Sequence, residues 1–223
     1  MNILITGTSS GIGKATAEKF LNEGFEVYGF DKMENTISGN PHFHFYRVDI
    51  RDSSTYPAIP DMDILFNNAG VQDDNEAIDT NLKGTISITE KYAFQKNIKS
   101  VLFNASSSAH TGFEFPSYSA SKAGVLGYMK NVAWRLAKRY HATVNSLSFG
   151  GVLTPLNREV EDEESFQKIM DVTPLKKWMT PQEAAEWVYF LTVINKSCTG
   201  QDILIDNGEK DLNCTFVWPG FDK

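Results

Sequence analysis

A tyrosine and a lysine stand four positions apart in the stretch "YSASKAG", residues 118–124. On a helix, side chains with this spacing lie on the same face, so Tyr118 and Lys122 can contact each other. A free phenol has a pKa of about 10 and is a poor base near neutral pH, but a neighbouring ammonium would stabilise the phenolate. The pair therefore predicts proton transfer at a substrate oxygen. The alternative is a solvated first turn with an incidental polar pair.

The elements that must position this pair follow from an alternation of short apolar runs with longer segments of helical period. Strands are predicted at 2–6, 25–30, 42–48, 63–68, 100–106, 143–149 and 201–206, and helices at 14–24, 76–96, 118–139, 156–170 and 182–193. Such alternation is typical of α/β proteins with a parallel sheet. Because no repeat or linker divides the chain, we expect one doubly wound Rossmann domain over 1–223. Its parallel seven-stranded sheet should carry helices on both faces.

Composition excludes several classes of function. The 223 residues carry a formal net charge of -7 and lack a run of lysine or arginine, so a nucleic-acid partner is not expected. The chain shows neither a signal peptide nor a long apolar span, so we expect a cytoplasmic protein without membrane contact. Cys198 and Cys214 are expected to be reduced thiols. His42 and His44 share a strand face, but without a third ligand nearby they predict no metal site.

A glycine-rich turn lies between the first predicted strand and the first helix. In "TGTSSGIG", Gly7, Gly11 and Gly13 permit a tight turn and bring backbone amides close to a pyrophosphate at the helix N-terminus. Asp31 closes the second strand, where a carboxylate accepts hydrogen bonds from an adenosine ribose and repels a 2'-phosphate. This pattern predicts NAD as the cofactor, although Lys32 next to Asp31 offsets part of the repulsion and leaves NADP as an alternative.

The chain at this point resembles the classical short-chain dehydrogenase/reductase family over nearly its whole length. The motifs are "TGTSSGIG", the acidic residue of "VDI" at Asp49, "NNAG" at 67–70, the Tyr-x-x-x-Lys pair, and the turn "SLSFGGVLTP". The resemblance implies a catalytic set of Asn81, Ser107, Tyr118 and Lys122. It also implies a dinucleotide site formed by Gly7, Ser9, Ser10, Gly11, Ile12, Gly13, Asp31, Asp49, Ile50, Asn68, Ala69, Gly70, Tyr118, Lys122, Gly150, Val152 and Thr154.

Several positions depart from the family pattern. Ser107 precedes Tyr118 by 11 residues, one or two fewer than the family usually leaves, so Ser106 or Ser108 could be the working hydroxyl. The connection from Gly70 to Asn81 is shortened. Asn81 is expected to anchor a water that links Lys122 to solvent; alternatively it satisfies backbone groups at a helix kink.

The resemblance implies an NAD(H)-dependent oxidoreductase that interconverts a secondary alcohol and a ketone. In this scheme Tyr118 is the general acid/base, and the charge of an oxidised nicotinamide joins Lys122 in lowering its pKa. The alternatives are an NADP(H)-preferring carbonyl or 3-oxoacyl reductase and a non-catalytic dinucleotide sensor. We expect residues 155–179 to cover the substrate as a lid, with apolar cover from Leu156, Phe166, Met170 and Trp178. Helix 118–139 is apolar on more than one face, so its outer face is expected to contact a partner subunit, and the resemblance implies a homodimer or homotetramer built on such helices.

Overall fold

The computed structural model describes residues 1–160 and 163–212, with side chains except at 158–160. Positions 161–162 of the expected lid, the end of the expected single domain, and Cys214 lie outside the described residues. Cys198 is a free thiol.

Seven parallel strands form a single sheet in the described chain, which confirms the predicted fold class. The strands are β1 (Asn2–Thr6), β2 (Glu26–Asp31), β3 (Phe43–Arg47), β4 (Ile64–Asn67), β5 (Ser100–Asn104), β6 (Thr143–Phe149) and β7 (Asp202–Ile205). Their spatial order is β3-β2-β1-β4-β5-β6-β7. The order reverses between β1 and β4, and a parallel sheet binds ligands in the crevice at the carboxyl ends of such strands.

The α-helices are α1 (Gly11–Asn22), α2 (Thr85–Tyr92), α3 (Ser108–Thr111), α4 (Pro116–Tyr140), α5 (Glu163–Val172) and α6 (Pro181–Tyr189). Short 3₁₀ segments occupy Ser53–Thr55 and Pro155–Val160, and π-helical segments occupy Ile78–Gly84 and Phe190–Ile194. The sequence predicts α1, α4 and α6 to within a few residues but not the four-residue α3. The helix predicted at 156–170 corresponds to the 3₁₀ segment Pro155–Val160 and to α5, which begins only at Glu163. The segment predicted as one helix at 76–96 is a π-helical stretch that continues into α2 and ends at Tyr92.

Two apolar layers hold the helices on opposite faces of the sheet. Ile88 of α2 and Val125, Met129 and Val132 of α4 are buried in one layer. Ala17 and Phe20 of α1 pack with Ala184 and Val188 of α6 in the other. The central strands β1, β4, β5 and β6 are buried on both faces, which explains their largely continuous apolar runs, whereas the edge strands β3 and β7 are half-buried.

Local signals begin and end the helices that frame the crevice. Pro116 begins α4, and the helix ends where His141 adopts the left-handed region with φ 57°. Thr180 and Glu183 form a reciprocal capping box at the start of α6, and Pro181 is the first residue of that helix. Within the described ranges, no helix is long and apolar enough to cross a membrane.

Candidate active site

A cavity of about 750 Å³ lies at the carboxyl ends of the central strands. Most of the residues predicted for a catalytic and dinucleotide site line it. They are Gly7, Ser10, Gly11, Ile12, Asp31, Asp49, Ile50, Asn68, Ala69, Gly70, Ser107, Tyr118, Lys122, Gly150, Val152 and Thr154. Ser9, Gly13 and Asn81 do not line the cavity but support residues that do.

The glycine turn is packed tightly against the end of β4. Gly7 has φ +79°, and a Cβ there would lie 2.8 Å from Asn68 Nδ2. A Cβ at Gly13 would lie 2.0 Å from the carbonyl oxygen of Gly7. The turn therefore needs glycine at both positions, at Gly7 for conformation and contact and at Gly13 for contact alone.

A hydrogen-bond network that includes Asn68 of the "NNAG" motif joins the ends of β1, β4 and β5. The hydroxyl of Thr6 accepts from the amides of Asn68 and Ala69 at 2.9 Å each. Asn68 Nδ2 donates to the carbonyl of Thr6 at 2.9 Å, and Asn104 Nδ2 donates to Asn68 Oδ1 at 2.9 Å. The sequence analysis did not single out Thr6 or Asn104. Their positions at the ends of adjacent predicted strands are the signal that could have found them.

The half of the cavity that is predicted to face an adenosine is rich in carboxylates. Asp31 accepts from the amide of Ser9 at 2.9 Å, so its carboxylate faces the glycine turn. Both nearby cations already have acidic partners: Lys32 lies 3.8 Å from Glu76, and Arg51 lies 2.7 Å from Asp49 and 3.2 Å from Glu76. The Arg51 hydrogen bond holds the pKa of Asp49 below its ordinary value.

Tyr118 lies in the first turn of α4 and is only 7% exposed. Burial raises the pKa of its phenol to about 12, a hydrogen bond with Ser106 lowers it in part, and the charge of Glu114 raises it further. The protein's own groups thus shift the pKa opposite to the direction expected from Lys122. The reason is that burial removes the phenolate from water more effectively than the neighbouring groups compensate.

Two serines approach the tyrosine in different ways. Ser106 is buried, it is the serine whose hydrogen bonding lowers the pKa of Tyr118 in part, and its hydroxyl donates to the hydroxyl of Ser108 at 3.1 Å. Ser107, the predicted catalytic serine, is half-buried and lines the same cavity, and its amide donates to the carbonyl of Phe149 at 2.9 Å. The structure therefore brings both serines to the cavity that Tyr118 lines.

Lys122 is buried beneath the cavity floor, with 5% of its surface exposed. Its Nζ donates to the carbonyl oxygen of Asn104 at 2.8 Å and lies 5.7 Å from the centroid of the Tyr118 ring. Burial lowers the pKa of its ammonium to about 8. The lysine is thus poised to change charge close to neutral pH.

Asn81 occupies the π-helical segment before α2 and is buried. Its side chain accepts from the amide of Val71 and donates to the carbonyl of Val71, both at 2.8 Å, and it also donates to Ser121 at 3.0 Å. A Cβ at Gly70 would lie 3.0 Å from Asn81 Oδ1 and 3.6 Å from Lys122 Nζ. Asn81 thus holds the backbone next to Lys122 through bonds at a helix irregularity, the alternative role considered for it.

The turn after β6 closes the far side of the cavity. The amide of Gly150 donates to Ile205 at 3.0 Å, and Val152 forms a parallel bridge with Met179. A Cβ at Gly11 would lie 3.3 Å from Thr154 Cγ2, so this turn reaches back to the glycine turn of β1.

The remaining walls belong to the end of the cavity near Tyr118, the predicted substrate end. They are formed by Glu114, Phe115, Leu156, Ile169, Trp178 and Glu209. Of these, only Leu156 and Trp178 were predicted from the sequence, as apolar cover. Glu209 follows β7 by only a few positions, and no local pattern marks it as a pocket residue.

His42 and His44 lie far from this site along β3. Each places a ring nitrogen within 2.8 Å of a Glu26 carboxylate oxygen. In the described part of the chain, no group of three or more histidine, cysteine or acidic side chains is arranged to hold a metal ion.

A doubly wound parallel sheet with a glycine turn at its switch point and a buried tyrosine and lysine in the same cavity defines a class of dinucleotide-dependent oxidoreductases. A family model described as short chain dehydrogenase matches residues 1–165. The chain belongs to the short-chain dehydrogenase/reductase family and is an enzyme that acts on CH–OH groups with a nicotinamide dinucleotide.

Relatives and similar structures agree with this assignment. The oxidoreductase YxbG of Bacillus subtilis (strain 168) is 31% identical, and the match covers 97% of this chain and 92% of YxbG. The 3-oxoacyl-[acyl-carrier-protein] reductase FabG of Thermotoga maritima is 30% identical, and the match covers 92% of this chain and 96% of that FabG. The structure of 4-hydroxyisoleucine dehydrogenase complexed with NADH superposes with a TM-score of 0.85 at 25% identity, covering 94% and 98%.

Proposed function

We propose that this enzyme interconverts a secondary alcohol and a ketone with NAD(H), using Tyr118 as the general acid/base. The observation that carries this proposal is the grouping of Tyr118, Ser106 and Lys122 in one cavity with the glycine turn. When bound, the nicotinamide supplies the hydride acceptor or donor.

The residues present fit a nicotinamide dinucleotide. Gly7, Gly11 and Gly13 leave a backbone cradle at the N-terminus of α1 that side chains would fill, and such a terminus favours a pyrophosphate. Thr80 also lines the cavity, and its buried hydroxyl has no hydrogen-bond partner among the described residues, so it can serve a ligand there. The remaining contacts are proposed for the other residues of the predicted site.

Tyr118 is proposed to move the proton at the substrate oxygen. A phenol with a pKa of about 12 stays protonated at neutral pH and is therefore suited to donate its proton to a ketone oxygen during reduction. In the oxidative direction it must first lose that proton, so alcohol oxidation should accelerate as the pH rises. Lys122 assists this proton transfer, because its own pKa of about 8 lets it accept or release a proton near neutral pH.

The serine that orients the substrate oxygen is proposed to be Ser106 or Ser107. The contact with Tyr118 favours Ser106, whereas exposure to the cavity and the family motif favour Ser107. Asn81 is proposed as a positioning residue that keeps the Val71 backbone and Lys122 in place.

NAD is proposed over NADP on the basis of charge. Around the half of the cavity predicted to face the adenosine, three carboxylates, of Asp31, Asp49 and Glu76, outnumber the two cations, of Lys32 and Arg51. Lys32 is paired with Glu76, and Arg51 is paired with Asp49 and Glu76. Because both cations in this group already form ion pairs, neither is free to bind the 2'-phosphate of NADP.

The test is replacement of Tyr118 by phenylalanine, followed by titration with NADH and NADPH and a carbonyl-reduction screen at 340 nm. We expect kcat/KM to fall about 10³-fold, in the range of general acid/base catalysis, because the proton donor is lost. NADH binding should stay within about threefold, since the ring and its packing remain.

The same titrations should give an NADH dissociation constant at least about tenfold below that of NADPH. Turnover of the phenylalanine variant at the parental rate would refute the acid/base assignment. Stoichiometric NADH binding by the wild type without reduction of any carbonyl would favour a dinucleotide sensor.

A second candidate, an NADP(H)-dependent 3-oxoacyl reductase, is favoured by Lys32 beside Asp31 and by the resemblance to FabG reductases. Reduction of acetoacetyl coenzyme A with NADPH, at a rate above that with NADH, would favour it.

A further inference from the structure

Two carboxylates, Glu114 and Glu209, lie at the substrate end of the cavity. Glu114 is exposed in the turn before α4, and Glu209 is half-buried in the turn after β7. Among the described side chains, at 1–157 and 163–212, no lysine, arginine or histidine lies within ion-pair distance of either carboxylate. A carboxylate that is partly removed from water without a countercharge is unfavourable unless a ligand supplies one.

Glu209 is fixed in position by Thr173 and lies beside the side chain of Trp178. Thr173 donates a hydrogen bond to its Oε1 at 2.8 Å. Its Oε2 would lie 3.3 Å from a Cβ at Gly150, so this oxygen stands beside the glycine turn that closes the cavity. Burial raises the pKa of the Glu209 carboxyl, hydrogen bonding with Thr173 and Trp178 lowers it in part, and the charges of Asp206 and Glu114 raise it. The site thus concentrates negative charge that a bound cation would relieve.

Lys122 does not neutralise this end of the cavity. Its Nζ is held by the carbonyl oxygen of Asn104 and forms no ion pair with Glu114 or Glu209. Glu114 acts on it at longer range, because its charge raises the pKa of Lys122 and of Tyr118. Among the described side chains around the proposed substrate position, the two glutamates therefore outnumber the one cation.

The walls between Tyr118 and Glu209 suit an apolar spacer and an organic cation. Phe115, Leu156 and Ile169 line this end, and Trp178 adds an indole ring next to Gly151, where a Cβ would lie 2.1 Å from Nε1. An indole face attracts ammonium groups through its quadrupole, and a carboxylate nearby adds a charge-assisted hydrogen bond.

We propose, building on the alcohol–ketone activity above, that the substrate is an amino alcohol or amino ketone whose protonated amine binds Glu209. Glu114 adds a weaker, longer-range attraction, and Trp178 contacts the ammonium or the carbon that carries it. The substrate oxygen that exchanges a proton with Tyr118 and the ammonium that binds Glu209 lie at opposite ends of one small molecule. Substrates with a carboxylate or phosphate at that end should be disfavoured by repulsion.

The experiment compares ketones that differ only in charge. The meta and para isomers of (aminomethyl)acetophenone are each measured against the matching ethylacetophenone, with NADH, on wild type and on Glu209→Gln. We expect the wild type to prefer the ammonium ketone at least about tenfold in kcat/KM, and Glu209→Gln to reduce that preference to about onefold. Glu114→Gln should reduce it about threefold, and Glu18→Gln, an exposed change on α1, should leave it unchanged.

A second readout does not depend on turnover. Calorimetric titration of benzylammonium and of benzyl alcohol into the enzyme–NADH complex should show tighter binding of the ammonium, and Glu209→Gln should abolish the difference. Equal binding of the two ligands to wild type, or a preference that survives Glu209→Gln, overturns the amine site. If no ketone is reduced but benzylammonium binds through Glu209, the proposed oxidoreductase chemistry fails while the amine site stands.

Discussion

Lys122 has the environment of a functional amine rather than a surface one. It is buried, and no acidic side chain among the described groups lies within ion-pair distance of its ammonium. Its pKa is lowered to about 8 from an ordinary value of 10.5. Below pH 8 the folded protein must keep a charged ammonium in a poorly hydrated place, which destabilises it. Such a cost is typical of active sites.

The pH dependence of stability gives a test of this environment. Between pH 8 and 10.5 the unfolded chain holds a proton on Lys122 that the folded chain has lost, so this lysine makes the unfolding free energy rise with pH. We expect the unfolding free energy of wild type, relative to Lys122→Met, to increase by about 2 kcal/mol from pH 7.5 to pH 10. Urea unfolding at both pH values measures it.

Lys130→Met is the matched control, because Lys130 is an exposed lysine on the same helix. Its difference from wild type should not change with pH. A wild type–Lys122→Met difference that is equally flat would contradict the buried, shifted ammonium.

At the level of elements, helix irregularities and turns position the catalytic groups. The π-helical segment Ile78–Gly84 turns Asn81 toward the Val71 backbone, and the four-residue α3 leads from the serines to α4. The shortened connection between Gly70 and Asn81 does not prevent the two from meeting. A regular helix would present Asn81 at a different angle, so this irregularity is part of the site.

The segment predicted as a lid contributes several walls of the cavity. Leu156, Ile169 and Trp178 line it, Phe166 packs edge-on against Trp178 at 5.4 Å, and Met170 is buried. These contacts support the proposal that residues 155–179 close over the substrate and the dinucleotide.

Limited trypsin digestion tests the lid. Lys168, Lys176 and Lys177 are exposed within the segment and offer cleavage sites. Saturating NADH should slow cleavage there at least about threefold, because closure removes the open conformations that proteases need. Cleavage after Lys196, in the exposed turn that follows Phe190–Ile194, should be unchanged; equal rates with and without NADH at the three lysines would remove support for a lid.

At the scale of the whole molecule, α4 joins the catalytic site to the surface. Its buried residues Val125, Met129 and Val132 face the sheet, whereas Trp134 is 67% exposed on the outer side. An exposed tryptophan on a long helix is typical of a contact surface between subunits. We propose that the enzyme is a homodimer or homotetramer that buries this face.

Replacement of Trp134 by glutamate should weaken this assembly. A buried carboxylate without a partner is unfavourable, so the variant should dissociate at least about tenfold more readily than wild type. Light scattering after size-exclusion chromatography measures the change, with Leu175→Glu, an exposed apolar position outside α4, as the control. A wild type that is monomeric, or a variant that assembles equally well, would exclude this interface.

The sequence alone determined the features that depend on local spacing. The strand and helix alternation, the glycine turn, and Tyr118 one turn from Lys122 follow from backbone conformation and residue periodicity within short segments. Family membership followed from the same motifs. These are the parts of the site that a chain can specify through neighbours in sequence.

Only the tertiary structure decided which groups meet and how strongly water is excluded. It set Ser106 near Tyr118, buried the Tyr118 phenol so that its pKa is raised, and brought Glu209 to the cavity from beyond β7. Burial and charge depend on atoms that are distant in sequence and close in space. No local pattern contains that information.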